Sequence, residues 1–185
     1  MLLINIVFLD IDGVMNCEEE MIRLLKENPT LINASLPEAY RCELLKTLIN
    51  QANAKLIISS SWRLSLRALQ QLFDIFGSYN IIISGITPEY CHASKFKNTI
   101  YENIKPKHTH KGWEGYYIED RGAEIASWLL DHPTVENFVI LDDEDSDIKA
   151  WFPNNLVKTD IQVGLTLDDC LKAAEILKGG KQSGA

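Results

Sequence analysis

Two aspartates one residue apart, in Asp10-Ile11-Asp12-Gly13, close the first apolar run of the chain. In extended backbone, residues i and i+2 point to one side, so these carboxylates share a face. Like charges that close repel unless a cation sits between them, which suits the pair either to a hard metal or to acid–base work. Gly13 permits a tight turn away from the strand, and alone the motif also reads as a solvated strand end. Ser59-Ser60-Ser61-Trp62-Arg63 follows a second apolar run. Hydroxyls and backbone N–H groups at a helix start can seat an anion, although serines also cap helices with no such role. Arg63 suits a phosphate or a surface carboxylate equally. Asp142 and Asp143 directly follow the fourth such run, and behind them Glu144 and Asp145 read as solvated acid. Arg121 precedes a helical pattern, as an anion-binding cation or as a partner of Glu124 or Asp120.

Positioning these residues requires a particular architecture. Apolar, β-branched runs at 4–9, 55–58, 81–84, 138–141 and, more weakly, 156–159 read as buried strands. Helical periodicity predicts helices over 37–53, with Leu44, Leu45, Leu48 and Ile49 on one stripe, and over 65–76, with Leu66, Leu69, Leu72 and Phe73 inward and Gly77 as the stop. Further helices are expected at 122–130 and 167–177. Strands alternating with helices imply right-handed crossovers and a mostly parallel, doubly wound sheet in three layers. Ligands of such sheets bind beyond the carboxyl ends of the strands, where every residue named above would sit. Two segments break the rhythm, 17–36 and 88–120, and connections this long are more often functional than idle.

The motifs, in this order, resemble the haloacid dehalogenase-like superfamily of phosphatases. Phe8-Leu9-Asp10-Ile11-Asp12-Gly13-Val14-Met15-Asn16, Ser60-Ser61-Trp62-Arg63, Arg121-Gly122-Ala123-Glu124-Ile125 and Val163-Gly164-Leu165-Thr166 are similar to the subgroup found as phosphatase modules in bacterial RNA-repair proteins. The resemblance implies a Rossmann-like domain over 1–178 with minimal cap insertions and a flexible tail at 179–185. It implies that Asp10 attacks phosphorus to give an aspartyl-phosphate, with Asp12 as general acid and base. It further implies one Mg²⁺ held by an Asp10 oxygen, the Asp12 carbonyl and Asp143, with Asp142 in support. Ser59 or Ser60 would bind a phosphoryl oxygen. Arg121 stands in the region where the superfamily supplies a lysine, and Lys95, Lys97 and Lys111 compete for that role.

Composition limits the partners. A net charge of −8 argues against a broad nucleic-acid coat. The segment from His92 to Trp113 nevertheless carries five lysines (95, 97, 105, 107, 111), three histidines and one glutamate. That local excess could follow a phosphate backbone, with Tyr101, Trp113, Tyr116 or Tyr117 stacking on bases, or be a solvated basic loop. His108-Thr109-His110 lacks a third ligand, so no zinc is assigned. Four scattered cysteines suit a reducing compartment. Without a signal-peptide pattern or membrane-length apolar stretch, a cytoplasmic protein is expected. The expected function is therefore Mg²⁺-dependent phosphomonoester hydrolysis on a nucleic-acid end, RNA or DNA, with Arg63 and Lys95, Lys97 and Lys111 as substrate contacts. The alternatives are a small-metabolite or nucleotide phosphatase and a non-catalytic binding module. A mutase-like phosphotransferase would want a larger closing cap.

Overall fold

A computed structural model describes residues 4–27, 36–112 and 115–179. Trp113 and the tail beyond Gly179 lie outside the described residues, as does 28–35 of the first insertion. β1 (Ile4–Leu9), β2 (Ala54–Ile58), β3 (Ile83–Ile86), β7 (Val135–Asp142) and β8 (Leu156–Lys158) form one parallel sheet in the order β3-β2-β1-β7-β8. The expected α/β class and mostly parallel sheet are what the chain adopts.

β1 lies at the centre and is apolar on both faces because both are covered. Val7 and Leu9 pack with Leu45 and Leu48 of α2 (Ala39–Ala52), Leu72 and Phe76 of α3 (Leu66–Ser78) and Ile176 of α5 (Leu167–Leu177). Ile6 and Phe8 turn to the other side, toward Ile125 of α4 (Arg121–Asp131), Phe96 and Trp151. Two separate apolar cores, one on each sheet face, make the three layers.

The helix over 65–76 differs from expectation. It runs through Gly77 to Ser78, so Gly77 does not stop it. The inward stripe is Leu72 and Phe76, while Leu66 is 87% and Phe73 46% exposed. The longer helix pushes the next strand two residues downstream of 81–84. Asn80 takes the left-handed turn at φ 59°, and Ile81 folds back to bond the Phe76 carbonyl.

Neither insertion is without structure. α1 (Glu18–Glu27) occupies the first. The second contains a three-stranded antiparallel sheet, β4 (Cys91–His92), β6 (Gly115–Ile118) and β5 (Thr109–Gly112), in the order β4-β6-β5. Cys91 and Ile118 anchor this small sheet to the second core.

Candidate active site

The register of the main sheet brings the chemistry together. Leu9 pairs with Ile58 on one side and Leu141 on the other, and the ladder runs one residue further. The Ser59 N–H donates to the Leu9 carbonyl at 2.8 Å, Asp10 N–H to Leu141 at 2.9 Å, and Thr159 N–H to Asp142 at 3.0 Å. Ser59, Asp10, Asp142 and Thr159 therefore emerge side by side from four adjacent strands, about 4.8 Å apart.

Beyond β1 the chain turns at Gly13, whose φ is +73°. A Cβ there would meet Asp143 Cγ at 2.5 Å, so glycine is needed both for the turn and for the approach of Asp143. The Thr159 hydroxyl fixes this turn by donating to the Gly13 carbonyl at 2.8 Å. Leu165 N–H, in the 163–166 motif, donates to Val14 O at 2.8 Å and steadies the same loop from the other side.

Asp10 is buried, and its carboxyl is pushed up to about 6, chiefly by desolvation. Arg121 opposes that shift from 3.7 Å, as does a hydrogen bond from the Ser60 side chain. Arg121 also lies 3.9 Å from Asp142. Burial, together with the nearby Asp10 charge, drives the Asp142 carboxyl well above its ordinary value, and burial also raises Asp143. Three buried polar atoms here have no hydrogen-bond partner among the described residues: Ser59 Oγ, Arg121 Nη1 and Asp142 Oδ2. Unsatisfied groups at this depth are costly; here they comprise donors suited to an anion and an acceptor suited to a cation.

Asp10, Asp142 and Asp143 each offer an oxygen within 4.8 Å of the others. A hard cation such as Mg²⁺ takes oxygen ligands of this kind and relieves the crowding of charge; the donor set fits it. The Asp12 side chain stands apart from this trio. Its two oxygens accept from Trp62 Nε1 and Asn16 Nδ2, each at 2.9 Å.

Of the expected substrate contacts, Arg63 is placed otherwise. Its guanidinium is buried and donates to the carbonyls of Ser60 (2.7 Å), Thr87 (3.0 Å) and Pro88 (2.9 Å) and to Glu124 (2.8 Å). It is an internal strut tying two loops, the one after β2 and the one after β3, to α4. Lys95 pairs with Asp131 at 2.6 Å, at the opposite end of α4 from Arg121 and roughly 15 Å along its axis. Arg121, not Lys95, is thus the cation beside Asp10. Lys97 and Lys111 are exposed. Lys107 and His108 come closer to the site: their backbone N–H groups donate to buried Asp120, adjacent to Arg121, at 2.6 and 2.7 Å.

Two other expectations need correction. Tyr101 packs against Phe96, Trp151 and Phe152 in the second core, so it is no stacking platform; Tyr116 is exposed. His108 does have carboxylates nearby, Asp120 and Asp147. They already serve the fold, Asp120 by holding the 107–108 backbone and Asp147 by accepting from the Arg121 N–H at 3.0 Å.

Trp62, Asn16 and Thr159 join the site without a role that sequence alone gives them: Asn16 closes the 8–16 motif, Trp62 lies within Ser60–Arg63, and Thr159 stands at a strand end. A wider groove of about 600 Å³ runs beside α4 past Thr87, Tyr90 and Trp128, away from the carboxylates. The cleft at Arg121 and Asp142 is about 220 Å³. The convergence of charge, rather than cavity size, marks the site.

A parallel five-stranded α/β sheet with acid pairs at the ends of its first and fourth core strands and a cation between them defines a haloacid dehalogenase-like domain. The comparison with protein families agrees. Residues 6–170 match the HAD domain in Swiss Army Knife RNA repair proteins, and the chain belongs to that family. The family places it, at a coarse level, among phosphatase-like hydrolases, in a superfamily that generally uses Mg²⁺. A comparison with curated proteins finds no match. No helix among the described residues is long and apolar enough to cross a membrane.

Proposed function

We propose that this chain is a Mg²⁺-dependent phosphomonoesterase that forms an aspartyl-phosphate on Asp10 and acts on phosphorylated nucleic-acid ends, RNA foremost. The observation that carries the reading is the convergence on Asp10 of Arg121, Ser60, Asp142 and Asp143 at one sheet edge. Residues 1–178 act as one catalytic unit, with the small sheet and α1 at its rim.

An Asp10 oxygen attacks phosphorus as the bond to the leaving oxygen breaks, and Asp12 gives that oxygen its proton. Asp12 then takes a proton from the water that attacks the phosphorus, which releases inorganic phosphate and frees Asp10. Arg121 and the serine hydroxyls of 59 and 60 hold the phosphoryl oxygens, Arg121 with delocalised charge in place of a lysine. Asp10, Asp142, Asp143 and the Asp12 carbonyl would hold the Mg²⁺, whose charge offsets repulsion between carboxylate and phosphate.

Hydrolysis of a chromogenic aryl phosphate should vanish with chelator and return with Mg²⁺. Asp143→Ala should raise the Mg²⁺ concentration for half-maximal rate by at least roughly 10- to 100-fold, since losing a direct ligand costs no less than losing an outer-shell partner. An unchanged metal titration would show Asp143 to be surface acid.

The rim supports the nucleic-acid part of the reading. With Lys95 tied to Asp131, Lys97, Lys105, Lys107 and Lys111 are the exposed lysines of that segment, and the last three flank or lie in the small sheet. Replacing all three with Ala should weaken a 5′- or 3′-phosphorylated oligonucleotide and lower its log affinity–log salt slope by roughly 0.7 per lost contact. Turnover of the aryl phosphate should hold. Equal loss of both would put the loop in the phosphate clamp, and loss of neither would favour a small phosphorylated metabolite.

A further inference from the structure

The proton donor assigned to Asp12 needs a fixed direction, because its carboxylate is exposed at a loop where side chains turn freely. The structure holds it at two points. Asn16 Oδ1 accepts from the Gly13 N–H at 3.0 Å, which orients the amide so that its Nδ2 faces Asp12 Oδ1. Trp62 reaches Oδ2 from across the site at 2.9 Å, from a residue 50 positions away.

An indole N–H is a donor only, so Trp62 demands a lone pair of Oδ2 and sets the plane of the carboxyl group. Trp62 is itself pinned. It lies in the short 3-10 helix Ser61–Leu64, its backbone N–H is capped by Ser60 Oγ, and its ring packs partly against the first core. The serine that touches Asp10 thus also anchors the residue that holds Asp12. With one lone pair of each Asp12 oxygen engaged, the remaining pair on each is left to carry the transferred proton.

We propose that Trp62 is a positioning residue for proton transfer: with Asn16 it clamps the Asp12 carboxyl toward the leaving oxygen. The inference rests on the reading of Asp12 as general acid and adds a specific consequence. Protonation matters most where the leaving oxygen is strongly basic. Loss of the clamp should therefore be felt by poor leaving groups and spare good ones.

Trp62→Phe keeps the ring and removes the N–H. The test compares kcat/KM, which covers steps through phosphoryl transfer, for phenyl phosphate and 4-nitrophenyl phosphate; phenolate is much the more basic leaving group, near the tyrosine pKa of about 10. Phenyl phosphate should lose roughly 10-fold, a part of the 10²–10⁴ that general acid catalysis supplies, and 4-nitrophenyl phosphate less than about 3-fold. An equal fall for both, or none, overturns the clamp, since a packing role would not sort substrates by leaving group. Asn16→Ala should give the same selectivity and carries the test should Trp62→Phe melt early. Asp12→Asn, run alongside, separates the two levels. If it is leaving-group selective while Trp62→Phe is not, the clamp fails and the acid assignment stands. If Asp12→Asn shows no selectivity, the acid assignment fails and the clamp with it.

Discussion

Asp10→Asn should reduce phosphatase turnover by roughly 10⁴-fold or more, the scale of losing a nucleophile from a cooperating site, and should leave a folded protein that melts higher than the parent in metal-free buffer. The amide keeps the shape of the carboxylate but cannot attack phosphorus. The stability gain follows from the position of the carboxyl. Burial raises it from 3.8 to about 6, so between those values the folded chain keeps a proton that the unfolded chain has released. Wild-type stability therefore falls as pH rises through that window. By pH 7 the buried charge costs up to about 3 kcal/mol. Asparagine removes that cost, less the attraction of Arg121 that is lost with the charge. Turnover and thermal unfolding measured on one preparation test both halves. Residual activity near wild type would remove Asp10 as nucleophile, and a variant with a lower melting point would show that its charge stabilises the fold. Added Mg²⁺ should narrow the gap in melting temperature, because the cation favours the wild-type carboxylate.

Asp10, Asp142 and the serines were legible because apolar runs fixed where strands end, and a parallel sheet aligns those ends. Which serine faces Asp10 was not legible, since that depends on how the chain leaves β2; the hydrogen bond from Ser60 resolves it. The role of Arg63 could not be read locally. Its partner Glu124 lies 61 residues away, and the sequence alone offers an arginine after a strand equally to solvent, substrate or core. The small sheet is not legible because its strands are only two to four residues long, too short to show the apolar alternation that marks a strand. On α3 the leucine spacing favours a stripe of Leu66, Leu69, Leu72 and Phe73, of which only Leu72 is fully buried. Packing instead selected Leu72 and Phe76 and left Leu66 in solvent. In each case the missing information was tertiary.

Glu124→Ala should destabilise the protein by about 3 kcal/mol, the cost of leaving a buried charged donor without its partner, and lower its melting temperature by roughly 10 °C. The side chains of Arg63 and Glu124 are 3% and 6% exposed. Burial pushes the Glu124 carboxyl up to about 8 against the pull of Arg63 and Arg121, so charging it in place is expensive and the pair adds little net stability as it stands. Removing the carboxyl alone is a different matter. Arg63 would keep its three carbonyl acceptors but lose the Glu124 carboxyl as an acceptor, while its positive charge stays buried. Glu124→Gln retains an acceptor for Nη2 and should cost only about 1–2 kcal/mol. The raised carboxyl also makes wild-type stability fall as pH climbs from 4.5 toward about 8, since the folded chain holds a proton there that the unfolded chain has lost. Glu124→Gln should remove that part of the slope. Turnover should suffer in the Ala variant as well, because Arg63 ties the Ser60 carbonyl to α4 only three residues along from Arg121, and shifting the Ser60 loop against α4 separates Ser60 and Arg121 from Asp10. Denaturant unfolding of both variants between pH 5 and 8 decides the matter. If Glu124→Ala unfolds like the wild type, Arg63 is satisfied without its carboxylate and the strut is not what holds the two loops to the helix.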